Sequence, residues 1–276
     1  MPLARGRPER QWNGWALREA GQASARHSVL LLPGGLCTAA FYDDLLADPR
    51  LVAHDVRFVA ATPPGFGGQP PPLEIGMESY AHLTAEVVAE LGVDVVVGHS
   101  YFANVALEMA ASGEFDGPIV LLSPCFSAGD EELDLRILER ISRVPLVGHV
   151  PWLVSRYFLD FAMRGRLPEE RRGELVAEMK KSDGGLDRRI TREYFDYLGR
   201  HGSLVGRLCK SGVAAWVVRG DRDEIGLTED ERTGLEACRS VSMVTVPDAA
   251  HFVMLDQPSL ITELILEVVG TQASTG

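Results

Sequence analysis

Short apolar runs recur along the chain, and each of them ends at glycine, proline or another turn residue. Six such runs are rich in β-branched or aliphatic residues, and they cover residues 28–32, 54–60, 93–97, 118–122, 214–218 and 241–246. Strands of a parallel sheet are covered by helices on both faces, and therefore have nearly continuous apolar sequences. The pattern predicts a parallel sheet at the centre of the fold.

The segments between these runs have a helical period instead. In residues 79–91, for example, Tyr80, Leu83, Val87 and Leu91 recur on one helical face. Residues 102–111 and 259–269 show the same spacing, and residues 12–17 are expected to begin an antiparallel edge. Strands that alternate with helices in this way predict a doubly wound, mostly parallel α/β sheet.

One long stretch, residues 126–209, interrupts the alternation. It contains helical patterns but no good strand, and the helices are expected at residues 133–141, 152–163, 168–181 and 192–198, the last with Thr191 as its N-cap. We expect this stretch to form a helical cap inserted into a core made of residues 1–125 and 210–276. Trp152 and Phe158 in the cap are candidate substrate contacts, although aromatic residues that only pack the cap onto the core give the same pattern.

Charge and cysteine usage narrow the class of protein. The formal net charge of −12 opposes binding to nucleic acid and to anionic membranes. No stretch approaches the roughly 18 apolar residues of a membrane span, and no apolar segment typical of a secretory signal follows the N-terminus. The four cysteines lie far apart, without zinc-like spacing. We therefore expect a cytoplasmic monomer or homodimer that acts on a small molecule and holds no metal.

A serine at the end of an apolar strand is the strongest chemical signal. The run VVV at residues 95–97 leads into Gly98, His99 and Ser100, and a helical pattern follows at once. A sharp strand-to-helix turn of this type exposes the serine hydroxyl above the edge of the sheet. The His99 side chain is expected to point away from the serine. Phe102 stands where the usual G-x-S-x-G pattern has its second glycine, so the local packing of the turn differs from that pattern.

A catalytic serine needs a base, and the base needs a carboxylate that orients it. Asp223 follows the run at residues 214–218, and His251 follows the run at residues 241–246. Both lie in loops at the carboxyl ends of predicted strands, where open α/β sheets build their sites. We predict that Ser100, Asp223 and His251 form a catalytic triad.

The segments LLLPGG, PPGFGG, VGHSY, VVRGDRD and AAHFVMLDQP resemble successive signatures of the α/β-hydrolase superfamily. The resemblance covers nearly the whole chain outside the insertion, and it implies the α/β-hydrolase fold with a cap. It also implies an oxyanion hole made by the backbone N–H groups of Gly35 and Tyr101, with Leu36 as the alternative to Gly35. Leu36, Tyr101 and Phe252 are further candidate substrate contacts.

The resemblance implies a carboxylesterase-like serine hydrolase that cleaves a small ester or related acyl bond through an acyl-enzyme, with no cofactor. A serine at position 100 argues against relatives that dehalogenate or open epoxides, because those use aspartate there. Two alternatives stay open. The same triad serves C–C bond hydrolases, lactonases and thioesterases, and the same fold serves non-catalytic ligand-binding proteins.

Overall fold

The computed structural model describes residues 8–144 and 148–273, and a sheet forms its centre. The strands are β1 (Arg10–Trp12), β2 (Trp15–Ala20), β3 (His27–Leu32), β4 (Val56–Thr62), β5 (Val95–His99), β6 (Ile119–Leu122), β7 (Ala215–Gly220) and β8 (Val241–Val246). Their order across the sheet is β1-β2-β4-β3-β5-β6-β7-β8. β1 and β2 pair antiparallel, as do β2 and β4, and every other pairing is parallel. This confirms the predicted mostly parallel sheet and its antiparallel edge.

Helices cover both faces of the sheet. They are α1 (Asp43–Leu46), α2 (Arg50–Ala53), α3 (Met77–Leu91), α4 (Tyr101–Ser112), α5 (Leu133–Ser142), α6 (Val150–Ala162), α7 (Glu169–Met179), α8 (Gly184–His201), α9 (Val205–Ser211), α10 (Glu229–Glu236), α11 (Val253–Asp256) and α12 (Pro258–Ala273). Successive residues of β5 point to opposite faces, so Val96 joins the core beneath α3 and α4, whereas Val95 and Val97 join the core beneath α12. Among the described residues, no helix combines the length and apolar character needed to cross a membrane.

The helices α5 to α9 all lie between β6 and β7, in the stretch where no strand was predicted. α6 packs against α5, α7 and α8, while α9 packs against α4 and α10 of the sheet layer. The predicted boundary between residues 209 and 210 therefore falls inside α9. Three of the four predicted helices in this stretch match α5, α6 and α7 to within two residues.

The fourth helix of the insertion is longer than predicted. α8 begins at Gly184, so Thr191 lies in its interior, and the prediction that Thr191 is its N-cap is wrong. Asp183 is the N-cap, and its Oδ1 atom accepts the N–H of Leu186 at 2.8 Å. Two glycines in the first turn disfavour a helix locally. Burial of Leu186 and Ile190 outweighs this penalty, since both side chains lie in the core beneath the helix.

Candidate active site

Ser100 is the single residue between β5 and α4, and its backbone is strained. Its φ of 50° and ψ of −116° lie where non-glycine residues are rare, at a cost of about 1–3 kcal/mol. The Ser100 N–H donates to the Leu122 carbonyl at 2.8 Å, which ties the turn to β6. Although Ser100 is the N-cap residue of α4, its side chain makes no capping hydrogen bond. The hydroxyl is therefore not used to cap the helix.

The close approach of strand and helix at this turn requires Gly98. A Cβ atom built on Gly98 would lie 2.2 Å from the Phe102 carbonyl oxygen, which no side chain tolerates. The Phe102 side chain points away from this contact and is fully buried. Its ring centroid lies 5.3 Å from that of Phe66 and 5.6 Å from that of Tyr80. The position of the usual second glycine is therefore part of an aromatic core in this protein.

Asp223 and His251 meet beyond the carboxyl ends of β7 and β8. The Oδ1 atom of Asp223 lies 3.1 Å from Nδ1 of His251 and also accepts the Ile225 N–H at 3.1 Å. Burial raises the pKa of Asp223, but the hydrogen bond and charge of His251 outweigh it and lower that pKa to about 2. An ionised Asp223 keeps the Nδ1 proton on His251 and leaves Nε2 for a hydroxyl proton.

His99 precedes Ser100 in the chain, and its ring packs against that of His251. The His99 ring centroid lies 4.8 Å from that of His251. A Cβ atom built on Gly34 would lie 2.6 Å from His99 Nδ1 and 3.3 Å from Ser100 Cβ, so the loop after β3 also reaches this point. In the described part of the chain no hydrogen bond joins the Ser100 hydroxyl to the His251 ring, and such pairs often reach hydrogen-bonding distance only with substrate bound.

Three backbone N–H groups flank the serine. Tyr101 begins α4, so its N–H has no acceptor within the helix. Within residues 8–144 and 148–273, the N–H groups of Gly35 and Leu36 donate to no backbone carbonyl. Gly35 is exposed, and a Cβ atom built on it would lie 4.0 Å from Tyr101 Cβ. The predicted oxyanion-hole residues are therefore neighbours with N–H groups available to a ligand.

A family model described as the alpha/beta hydrolase family matches residues 29–264. The chain belongs to the alpha/beta hydrolase family. No curated protein matches this sequence.

Solved structures similar to this alpha/beta hydrolase include three kinds of enzyme. A thermophilic esterase from Thermogutta terrifontis with malate bound is 18% identical, with a TM-score of 0.71 and 93% of each chain covered. The thioesterase domain from the curacin biosynthetic pathway is 19% identical, with a TM-score of 0.67, over 96% of this chain and 100% of that one. The haloalkane dehalogenase DbeA from Bradyrhizobium elkani is 17% identical, with a TM-score of 0.74, over 97% of this chain and 99% of that one. Identities this low show a shared fold alone.

This alpha/beta hydrolase also places two carboxylates near His251, which the sequence analysis missed. Glu131 is 8% exposed, and its Oε2 atom accepts the Tyr194 hydroxyl at 2.9 Å. The Tyr194 ring packs 5.5 Å from that of Tyr101, directly after the serine. Burial raises the pKa of Glu131. The run of acidic residues that contains Glu131 looks like an ordinary solvated segment, so no sequence signal marks it.

The second of these carboxylates, Glu132, connects through Arg166 to the loop that carries Asp223. Its Oε2 atom lies 2.7 Å from Arg166 Nη1, and Arg166 also pairs at 2.6 Å with Glu224, the neighbour of Asp223. Burial lowers the pKa of His251, but Asp223, followed by Glu132 and Glu131, raises it above its ordinary value. The Asp223–His251 pair thus lies near further carboxylates that stabilise the charged form of the imidazole.

The remaining predicted substrate contacts of this alpha/beta hydrolase lie in different surroundings. Trp152 is 6% exposed on α6, which packs against α8, whereas Phe158 on the same helix is 61% exposed. The Phe252 ring is buried, with its centroid 5.3 Å from those of His251 and His99. Among the described residues, no three His, Cys, Asp or Glu side chains are grouped as metal ligands.

Proposed function

We propose that this protein is a serine esterase that cleaves a small carboxylic ester or a related acyl bond through an acyl-enzyme. Ser100 is the nucleophile, His251 the general base and then the general acid, and Asp223 the group that orients the imidazole. The N–H groups of Gly35 and Tyr101 form the oxyanion hole, with Leu36 as the alternative to Gly35.

One observation carries the proposal: a strained serine whose hydroxyl is not used for capping directly follows His99, and the His99 ring lies 4.8 Å from that of His251, the partner of Asp223. A serine side chain at the N-terminus of a helix normally caps the helix. Here Ser100 has a φ of 50°, and its side chain makes no capping hydrogen bond. Strain of this kind persists where the surrounding structure enforces it, and it occurs preferentially at active sites.

The reaction follows from the placement of these groups. His251 takes the Ser100 proton while the hydroxyl oxygen attacks the acyl carbon. The negative oxygen that develops accepts hydrogen bonds from the backbone N–H groups of the oxyanion hole. Collapse of the tetrahedral intermediate expels the alcohol, which receives the proton from His251. A water molecule then attacks the acyl-enzyme with His251 again as base, and release of the acid restores Ser100.

The charge around the site favours a neutral or cationic substrate. Glu131 and Glu132 lie close enough to His251 to raise its pKa, and both repel an anionic acyl or alcohol group. Neutral aryl esters should therefore be cleaved faster than esters of the same length that carry a carboxylate.

The helices α5 to α8 are proposed to cover the site as a cap, with Trp152 and Phe158 as candidate substrate contacts. Alanine at either residue should change the preferred acyl length.

The nucleophile distinguishes this proposal from the dehalogenase chemistry of one similar structure. Displacement of halide in that class uses an aspartate at the position that Ser100 occupies here. The structural likeness to an esterase and to a thioesterase domain agrees with acyl transfer to serine. C–C bond and lactone hydrolysis use the same triad, so assays that compare a lactone and a C–C bond substrate with an ester separate these reactions from ester hydrolysis.

Labelling with a fluorophosphonate tests the proposal directly. We expect the wild-type protein to gain one phosphonyl group on Ser100, located by peptide mass spectrometry, and to hydrolyse p-nitrophenyl esters. Ser100→Ala should lose labelling and at least about 10⁴-fold of kcat, because the triad acts as a unit. Ser259→Ala, at an exposed serine of α12, is the matched control and should behave as wild type. Absence of labelling in a folded wild-type protein would instead favour a non-catalytic binding role.

A further inference from the structure

The backbone carbonyl of His251 accepts two hydrogen bonds from groups that lie far away in the sequence. His99 Nε2 lies 3.0 Å from this oxygen, and the Ser123 hydroxyl lies 2.9 Å from it. His99 is the last residue of β5, and Ser123 directly follows β6 with a φ of 51°. The loop that carries His251 is therefore bonded to the carboxyl ends of two adjacent interior strands, β5 and β6.

His99 is held in one protonation state and one tautomer. Its side chain is buried, and burial, followed by the charge of His251, lowers its pKa to about 3. The ring is therefore neutral at working pH. Because a carbonyl oxygen can only accept, the single proton must lie on Nε2. His99 thus presents a fixed donor to His251 without adding positive charge beside the general base.

The surroundings of His99 indicate a specific role for this donor. Its Nδ1 atom is buried and has no hydrogen-bond partner among the described residues, although most buried polar atoms have one. An apolar ring would fill the same space without that penalty. Gly34 leaves room for the ring, because a Cβ atom there would lie 2.6 Å from Nδ1. The bond from Nε2 to His251 is therefore the interaction that accounts for a histidine at this position.

Ser123 is a less dedicated donor than His99. The pKa of Asp223, which burial raises and His251 lowers, is lowered further by the Ser123 hydroxyl, so this hydroxyl also lies near the triad carboxylate. It has one proton and cannot serve the His251 carbonyl and the carboxylate at the same time. When Ser123 donates to Asp223, His99 alone holds the carbonyl.

From this geometry we propose that His99 is a positioning residue for the general base, acting through the His251 carbonyl. The inference rests on the proposed esterase function. Displacement of a reacting group by about 1 Å can cost about 10²-fold in rate. Loss of the His99 donor allows the His251 loop to move, and the imidazole then meets the Ser100 hydroxyl in the right geometry less often.

Two substitutions separate the hydrogen bond from the packing. His99→Gln places an amide N–H donor near the position of Nε2, whereas His99→Phe keeps a ring and removes the donor. We expect His99→Phe to lower kcat about 10- to 100-fold, with KM for a p-nitrophenyl ester little changed and fluorophosphonate labelling of Ser100 slowed in proportion. His99→Gln should restore most of the lost kcat. His99→Leu replaces His99→Phe if the phenyl ring prevents folding.

Hydrogen exchange of residues 247–252 gives a readout that needs no turnover. Exchange in this segment should be faster in His99→Phe than in the wild type, and close to wild type in His99→Gln. Equal kcat in both variants, or exchange unchanged in His99→Phe, would overturn the positioning role. A wild-type protein that neither labels at Ser100 nor hydrolyses esters would remove the proposed function, while the exchange experiment would still decide whether His99 holds the loop.

Discussion

The Oδ1 atom of Asp223 lies 3.1 Å from Nδ1 of His251, and only 1% of the Asp223 side chain is exposed. A buried carboxylate at this distance favours the protonated form of the imidazole. The proposed general base must lose that proton before it can act, so the pH at which it does so is set by the carboxylates around it.

The acid limb of the pH profile should therefore lie above the ordinary histidine pKa of 6.5, because the pKa of His251 is raised. Glu132→Gln removes one of the carboxylates that stabilise the charged imidazole, so the midpoint of kcat/KM should move to lower pH. Glu267→Gln removes one carboxylate from the exposed face of α12 and should leave the midpoint unchanged. A midpoint unaffected by Glu132→Gln would contradict the electrostatic role of that residue.

Gly34→Ala and Gly35→Ala differ by one position and should have very different effects. A methyl group at Gly34 would lie 2.6 Å from His99 Nδ1 and 3.3 Å from Ser100 Cβ, whereas one at Gly35 meets only Tyr101 Cβ at 4.0 Å. We expect Gly34→Ala to lower kcat at least about 10²-fold by displacing these groups, and Gly35→Ala to stay within about tenfold because it keeps its N–H. Steady-state kinetics on one ester checks both, and similar losses would show that the space at Gly34 is not critical.

Phe102→Gly restores the usual G-x-S-x-G pattern, yet it should damage the protein. The ring is fully buried in the aromatic core, so its deletion should cost about 3–5 kcal/mol of the free energy of unfolding. Phe158→Gly makes the same deletion on α6, where the ring is 61% exposed, and should cost about 1 kcal/mol through helix propensity. Urea unfolding of both variants tests the difference, and a Phe102→Gly protein as stable as wild type would show that the core repacks.

Asp187 should make the fold less stable as the pH rises from acidic to neutral values. Burial raises the pKa of this α8 carboxyl from 3.8 to about 7, against the opposing effect of Arg156. A pKa that is higher in the folded than in the unfolded state means that stability is lost as the pH rises between these two values. Asp187→Asn should therefore increase the free energy of unfolding by about 2–4 kcal/mol near pH 8, since one pKa unit corresponds to about 1.36 kcal/mol.

The effect of Asp187→Asn should be small near pH 4, where the carboxyl is protonated in the folded protein. Asp196→Asn changes a carboxylate of the same helix that is 43% exposed, and should alter stability by less than about 1 kcal/mol at either pH. Urea unfolding at both pH values measures these differences. Equal stabilisation by Asp187→Asn at both pH values would show that packing, not ionisation, is responsible.

Local patterns in the sequence predict the positions of most strands and of many helices. The run at residues 241–246 coincides with β8, because a short aliphatic run bounded by turn residues predicts a strand. α8 could not be bounded in this way. Its first turn contains Gly184 and Gly185, and only the tertiary burial of Leu186 makes that turn helical.

In the candidate site, too, some residues are predictable from local patterns and others depend on tertiary packing. Ser100, Asp223 and His251 each follow an apolar strand, so parallel topology places all three at the same edge of the sheet. The contact of His99 with the His251 carbonyl joins residues that lie far apart in the chain through a backbone atom, which carries no residue-specific signal. The position of Glu131 is also not predictable from the sequence, because its hydrogen bond comes from Tyr194, which lies 63 residues later in the insertion.

The order of the strands also has a consequence for how the chain acquires its chemistry during synthesis. The turn at Ser100 belongs to the middle of the sheet, while β8, after which His251 follows, is an edge strand that pairs, among the described residues, with β7 alone. As the chain leaves the ribosome, the serine is therefore in place long before the base, and the helices between β6 and β7 must be made in the interval. A chain that stops before β8 docks would contain a folded serine turn but no partner for it. By the proposed mechanism, a nascent or truncated protein is inactive, and hydrolysis begins only after β8 has paired with β7 and positioned His251.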